Sequence, residues 1–205
     1  MSHLSRGRLL GAVGFLVFLL ASACSSGAKT SSAGQTATKA NGPNPNATES
    51  RVPGDIPDNK VFRDYVANKA FSLKVPEGWA MTTEGKAVLF TDKYNSILIE
   101  SLPAAAAPTV ASATSQELPA IKTPAHGFVA GDVKTVQRKS GAGVLITYRA
   151  DSAPNPVTNK VVFEAVERYE FWRNGTEVVL TLSAPVGSDN VDPWRKVTDS
   201  FGWKA

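Results

Sequence analysis

The strongest structural signal in this chain is the segment VVFEAVERYEFWRNGTEVVLTLS, residues 161–183. Two runs rich in β-branched and aromatic residues, 161–172 and 177–183, flank Asn174-Gly175. Both positions of an Asn-Gly pair tolerate the positive φ angles of a type I′ turn. A helix over 161–172 is the alternative, because this run is also rich in Glu and Arg. The turn and the β-rich second run favour a long antiparallel hairpin.

Shorter strands are predicted before this hairpin. Each is a short apolar or alternating run bounded by turn residues. Pro76-Glu77-Gly78 and Gly141-Ala142-Gly143 predict two of the turns, and Trp79 is expected to anchor the core. The predicted strands are 71–75, 87–90, 97–99, 133–139 and 144–148.

The C-terminal residues predict a helix that covers the sheet. Asp192 is expected to cap it, and Pro193 suits the first helical position because its missing N–H would be unpaired there. Gly202 is expected to end the helix in the left-handed conformation, with Trp203 packed back over it. A second helix is predicted over 109–121. Spacing i, i+3, i+7 places three apolar residues on one face of the C-terminal helix: Trp194, Val197 and Phe201.

This order of elements resembles the PsbP-like fold, whose bacterial members include the lipid-anchored LpqN group of actinobacteria. The resemblance rests on FSLKVPEGW, residues 71–79, and DPWRKVTDSF, residues 192–201, and covers about residues 65–205. It implies an α+β domain, in which an antiparallel β-sheet carries the C-terminal helix and one further helix. It also implies an adaptor or binding role in envelope complexes. No catalytic residue carries over from it.

The first 24 residues predict a lipoprotein signal. Two arginines precede an apolar run, 9–20, and small residues then lead to Cys24, which is the only cysteine. This pattern is typical of a secretory signal, and the run is shorter than the roughly 20 residues that span a bilayer. Residues 21–24, Ala-Ser-Ala-Cys, resemble the bacterial lipobox, although Ala21 replaces the usual Leu. The resemblance implies cleavage between Ala23 and Cys24, with S-diacylglycerol and N-acyl (palmitate) groups on Cys24. The alternative is a chance cysteine in a cleaved signal, or a buried thiol.

Residues 24–58 predict a flexible tether. They are rich in Ser, Gly and Pro and contain almost no large apolar side chains, so they bury too little surface to offset the entropy of ordering. Residues 59–205 contain all four tryptophans and are predicted to form one domain with its own core. Removal of residues 1–23 takes away two of the 22 basic residues and none of the 18 acidic ones, which leaves a net charge of +2. A nucleic-acid partner is therefore not expected.

The mature chain offers little catalytic chemistry. His126 is its only histidine, and no free thiol remains after acylation. A zinc site built from His and Cys ligands is therefore excluded. A Ser-His-Asp hydrolase would have to use His126, and the sequence has no Gly-x-Ser-x-Gly motif. His126 is interpreted as a loop histidine. No cofactor and no metal are predicted.

Two groups of charged residues are candidate sites. Glu164 and Glu170 share one face of the predicted strand and are interpreted as solvated charge beside Lys160 and Arg168. Glu167 lies on the apolar face and is expected to mark an edge or a pocket. A small basic group consists of Lys134, Arg138 and Lys139. It is interpreted as protection of an edge strand against aggregation. A contact with anionic lipid is the alternative.

Three functions follow from these observations. The favoured hypothesis is a non-enzymatic lipoprotein, held on the extracytoplasmic face of the cell membrane by acylated Cys24, that binds a protein or glycolipid of the envelope. In a host with an outer membrane, that membrane is the expected location. The alternative is a lipid or small-molecule carrier with a pocket between sheet and helix. The third is a hydrolase that uses His126 or paired glutamates.

Overall fold

The computed structural model describes residues 53–67, 70–155 and 157–204. Cys24, the predicted signal and most of the predicted tether lie outside these residues. The described part is α+β, as predicted. Its strands are β1 (Phe62–Ala67), β2 (Phe71–Pro76), β3 (Ala80–Glu84), β4 (Ala87–Asp92), β5 (Asn95–Pro103), β6 (Val129–Arg138), β7 (Gly141–Asp151), β8 (Phe163–Arg173), β9 (Thr176–Pro185) and β10 (Gly202–Trp203). Its α-helices are α1 (Val110–Ser112), α2 (Leu118–Lys122) and α3 (Val191–Ser200).

The larger sheet has seven strands in the order β3-β4-β5-β9-β8-β7-β6, and every neighbouring pair is antiparallel. The hairpin β8–β9 lies at its centre and confirms the prediction from residues 161–183. Asn174 and Gly175 have φ angles of 50° and 80°, as a type I′ turn requires. The remaining predicted strands are also present, most of them longer than predicted.

A smaller sheet of three strands, β1-β2-β10, packs over one face of the larger sheet. We call this the core face. Helix α3 lies beside β2 in the same layer, and its apolar face is buried as predicted. The aromatic rings of Phe171 and Phe201 stack there with centroids 4.6 Å apart. The core includes Phe71, Leu73, Trp79, Phe90, Ile97, Ile99, Leu145, Tyr169, Phe171, Leu180, Leu182, Trp194, Val197 and Phe201.

A helical segment covers part of the opposite, outer face of the larger sheet. It runs from α1 through a π-helical turn, Ala113–Glu117, into α2. The side chain of Thr109 caps its start by accepting a hydrogen bond from Ser112 N. Leu118 N–H bonds the carbonyl of Ala113, five residues back, and the next residue, Pro119, has no N–H to donate. The predicted helix over 109–121 is thus confirmed, with a widened turn before its proline.

The ends of α3 differ from the prediction. Asn190, rather than Asp192, precedes the first helical residue, and Asp192 lies in the first turn. Gly202 does not take the left-handed conformation at the end of the helix. It pairs with Ser72 as part of β10, and Lys204 N–H donates to the carbonyl of Ala70. Pairing with β2 satisfies the backbone groups that a left-handed cap would otherwise satisfy.

The turn predicted at Gly141-Ala142-Gly143 is also wrong, because it lies two residues earlier, at Lys139-Ser140. Both glycines belong to β7: Gly141 takes a φ of 122° directly after the turn, and Gly143 allows close packing against the neighbouring strand. A Cβ on Gly143 would lie 2.8 Å from the carbonyl oxygen of Glu170 on the neighbouring strand.

The folded domain begins before residue 59, inside the segment assigned to the tether. Ile56 is buried in the core, and its N–H donates to Oδ1 of Asn190 at 2.8 Å. Asn190 Nδ2 in turn donates to the carbonyl of Gly54 at 2.9 Å. These long-range hydrogen bonds fix residues 53–58 on the domain.

Candidate functional site

A groove with a volume of about 400 Å³ opens between the start of α3 and the core face of the larger sheet. It lies where α3 no longer covers the strands. Its floor comes from β7, β8 and β9, and its walls come from β6 and α3. The lining includes Val129, Gly131, Thr147, Arg149, Ala165, Glu167, Ala184, Asn190, Val191 and Trp194.

A β-bulge shapes one wall of the groove. The register of β6 against β7 shifts between Ala130 and Val133. Asp132 N–H donates to the hydroxyl of Thr147 at 2.7 Å, which satisfies a donor that the bulge removes from the ladder. Gly131 is required because a Cβ there would collide with the same hydroxyl. The bulge thus turns the start of β6 around the groove.

Glu167 supplies the carboxylate of the groove, in accord with the expectation that it marks a pocket. The Tyr169 hydroxyl donates to Glu167 Oε2 at 2.7 Å, and Arg138 Nη2 donates to the same hydroxyl at 2.9 Å. Burial, followed by the Glu167 charge, raises the pKa of Tyr169 to about 12, against the opposing effect of Arg138. The phenol therefore stays protonated and holds the carboxylate at the inner end of the groove.

Arg138 connects this chain of polar groups to α3. Its Nε donates to Thr198 Oγ1 at 3.0 Å and lies 3.7 Å from Asp199 Oδ1. Arg138 therefore links β6 to β8 and α3 inside the domain. The basic group was expected to protect an edge strand instead. Lys139 and Lys134 are exposed, and Lys134 pairs with Asp132 at 3.2 Å.

Glu170 corrects the interpretation of the strand glutamates as solvated charge. It is fully buried on the outer face, where the segment 110–122 packs on the sheet. Arg168 lies among three carboxylates: its Nε is 3.1 Å from Glu170, Nη1 is 3.5 Å from Glu100, and Nη2 is 3.6 Å from Glu117. This cluster joins β5, β8 and the π-helical turn, so its first role is to hold the helical segment on the sheet.

Burial raises the pKa of Glu170, and the positive charge and hydrogen bond of Arg168 oppose the shift. Oε2 of Glu170 has no hydrogen-bond partner among the described residues. Burial also raises the pKa of Glu177 on β9, with a further contribution from Glu117. The outer face therefore carries carboxyl groups that bind protons more readily than exposed ones.

Paired glutamates for glycoside hydrolysis are not formed by Glu164 and Glu170. They lie six residues apart on one face of β8, roughly 20 Å along the strand, whereas such pairs lie about 5–10 Å apart. Glu164 lies beside Ser183 near the far end of the strand, and burial raises its pKa, partly offset by the Ser183 hydroxyl. His126 is exposed on a turn, as expected of a loop histidine.

Within residues 53–67, 70–155 and 157–204, no cluster of His, Cys, Asp and Glu has the geometry of a metal site. The sequence signalled Glu167 through its place on an apolar face. It gave no signal for the groove itself, because Asn190, Thr147 and Gly131 are far apart in the chain and meet only in the fold.

The fold is similar to that of several solved structures. The cyanobacterial PsbP protein CyanoP from Synechocystis sp. PCC 6803 matches with a TM-score of 0.50 and 13% identity, over 73% of this chain and 98% of CyanoP. The Ran-binding protein Mog1p of Saccharomyces cerevisiae matches with a TM-score of 0.49 and 11% identity, over 69% of this chain and 95% of Mog1p.

LpqN of Mycobacterium tuberculosis, described as involved in cell envelope biogenesis, matches with a TM-score of 0.41 and 15% identity, over 75% of this chain and 90% of LpqN. No family model and no curated protein sequence matches the chain. The likeness to CyanoP confirms the predicted PsbP-like fold and, at this identity, extends no further than the fold.

In the part of the chain that the structure describes, no helix is long and apolar enough to cross a bilayer.

Proposed function

We propose that this chain is a non-enzymatic binding protein of the cell envelope, held at the membrane by acylated Cys24. The groove carries this proposal. It combines apolar walls with one carboxylate, one guanidinium, hydroxyls and an amide, and its described lining contains no histidine, cysteine or carboxylate pair. Such a set of groups recognises a partner by shape and hydrogen bonding, but lacks a nucleophile with its base.

The openness of the groove favours a protruding part of a large partner over an enclosed small molecule. Its floor includes Ala165, which is exposed, and its rim includes Val191, which is 60% exposed. A protein segment or a glycolipid would present such a protrusion while most of its surface stays outside. One observation favours the hypothesis of a lipid or small-molecule carrier: the groove lies between the larger sheet and α3.

Two variants test the binding role. Ala165→Phe places a large side chain on the open floor without a buried clash, and Ala80→Phe adds the same side chain to exposed strand β3 as a matched control. A photocrosslinking amino acid at Val191 then reports the partner in native membranes. We expect one dominant crosslinked partner that is lost in Ala165→Phe and retained in Ala80→Phe. An unchanged crosslink in Ala165→Phe would show that the partner does not bind in the groove.

The anchoring role is tested by Cys24→Ser, with membrane and soluble fractions separated after expression in a bacterial host that acylates lipoproteins. We expect the natural chain in the membrane fraction and the variant outside it. Retention of Cys24→Ser in the membrane after removal of the signal would contradict anchoring through this thiol.

A further inference from the structure

One end of the larger sheet exposes several large apolar side chains. Val161 precedes β8 and is 48% exposed, Phe163 is the first residue of β8 and is 40% exposed, and Val186 follows β9 and is 41% exposed. Val186 N–H donates to the carbonyl of Phe163 at 3.0 Å, so these residues are neighbours. Val157, in the loop before β8, is 90% exposed. We call these four residues, Val157, Val161, Phe163 and Val186, the apolar end.

Hydrogen bonds link the described residues on either side of position 156 in the loop that carries Val157. Asn155 Oδ1 accepts hydrogen bonds from the N–H groups of Val157 and Thr158 at 3.0 and 2.9 Å. Asn155 N–H donates to the carbonyl of Lys160 at 2.9 Å, which closes the loop at its base. The exposed Val157 is therefore held through its backbone N–H by Asn155.

The predicted tether joins the domain at this same end. The carbonyl of Pro53, the first described residue, accepts a hydrogen bond from Ser188 Oγ at 3.0 Å, two residues after Val186. Residues 25–52, a segment of 28 residues, separate Pro53 from Cys24. The predicted coil of that length would span about 30 Å and would bring the end of the domain that it enters, the apolar end, toward the lipid.

Two lysines lie beside the loop. Lys160 and Lys93 line a cavity of about 300 Å³ between the loop and the β4–β5 turn. Lysines of this kind reach lipid phosphates while neighbouring apolar side chains enter the boundary between headgroups and acyl chains. Carboxylates lie at this end as well, at Asp92, Asp151 and Glu164 and near the start of α3 at Asp189 and Asp192, so the apolar side chains rather than the net charge carry the lipid contact.

We propose that the apolar end rests on the bilayer, with Val157 at the depth of the headgroups and Lys160 beside lipid phosphates. This inference rests on the proposed anchoring at Cys24 and adds the orientation of the domain relative to the bilayer. The groove, whose rim residues Val129 and Val191 lie at the same end, would then open close to the membrane surface and receive a partner at the membrane.

The test uses the acylated mature chain in vesicles of phosphatidylethanolamine and phosphatidylglycerol. Val157→Cys provides one free thiol for a polarity-sensitive fluorophore, because the thiol of Cys24 is blocked by its lipid. Leu102→Cys is the matched control, since Leu102 is 41% exposed at the opposite end of the sheet. We expect a blue-shifted emission and quenching by spin-labelled lipid at position 157, and neither at position 102.

The outcomes separate this inference from the anchoring on which it rests. A chain that floats with the vesicles but is as water-exposed at position 157 as at position 102 overturns the orientation and leaves the anchor intact. A chain that does not float with the vesicles overturns both. A photocrosslinker at position 157 that reacts with a protein instead of lipid in native membranes would also overturn the lipid contact.

Discussion

Glu170 shows how a single buried side chain can change the behaviour of this domain with pH. Its carboxyl group has one hydrogen bond, from Arg168, and one oxygen without a partner among the described residues. The local sequence gives no hint of this burial, because Glu170 alternates with apolar residues as an exposed strand glutamate would. Its burial is produced by residues 110–122, which fold onto the strand from a distant part of the chain.

Replacement of Glu170 by Gln is expected to weaken the pH dependence of stability. The pKa of Glu170 is raised above its ordinary value of 4.5, so its contribution is fully present below that pH and is lost as pH rises through the folded-state pKa. The free energy of unfolding of Glu170→Gln, relative to the natural chain, should therefore increase with pH across this window. Because one pKa unit corresponds to about 1.4 kcal/mol, chemical denaturation at several pH values can detect the change.

Glu84→Gln is the control for this experiment, since Glu84 is exposed on edge strand β3. The control should follow the natural chain at every pH. A Glu170→Gln profile parallel to that of the natural chain would show that Glu170 does not titrate differently in the folded and unfolded states.

The elements divide into those that local sequence specifies and those that it does not. The hairpin β8–β9 was predictable because Asn174-Gly175 fixes the turn and alternation fixes the faces. Helix α3 was predictable through its apolar face. Strands β1 and β3 were missed because they lie at sheet edges, where exposed side chains leave no alternating pattern. Strand β10 was missed because a two-residue strand is defined only by its partner, β2.

Gly202→Ala distinguishes a strand from a helix cap at the end of α3. A Cβ at this position meets no other atom within 4 Å, and its φ is not in the left-handed region. We expect a change in the free energy of unfolding below about 0.5 kcal/mol, as for an unstrained surface change. A left-handed glycine would lose about 1 kcal/mol or more.

Gly143→Ala provides the contrast, because its Cβ would press on the carbonyl of Glu170 and the ring of Phe171 at 2.8 and 2.9 Å. We expect a loss of about 1–3 kcal/mol from overpacking. Equal losses for the two alanine variants, measured by denaturation in urea, would contradict the assignment of Gly202 to β10.

Asn190→Ala is expected to loosen residues 53–58 from the domain. It removes the acceptor for Ile56 N–H and the donor for the carbonyl of Gly54. Loss of partners for two such groups costs about 2–4 kcal/mol. Trypsin cleavage after Lys60 should accelerate accordingly. Ser188→Ala is the control, because it removes only an exposed hydrogen bond to Pro53. It should change the free energy of unfolding by less than about 1 kcal/mol. Equal effects of the two variants would contradict the role of Asn190.

At the scale of the domain, two sheets and α3 enclose one core, and one end of that structure combines three features. It contains the groove, the apolar end and the point where the chain arrives from the predicted tether. The sequence predicted the α+β class and the position of Glu167, since both depend on alternation within single segments. It did not predict the groove or the apolar end, because these depend on which strand ends lie side by side.

The mass of the mature protein tests the central claim, attachment through a lipid on Cys24, most directly. The protein would be extracted from membranes with detergent and measured intact, and its N-terminal peptide would then be sequenced by fragmentation. We expect a chain that begins at Cys24 and carries the mass of a diacylglycerol group, with or without a further acyl chain. A mature chain that begins at another residue, or that has the mass of unmodified polypeptide, would contradict the account.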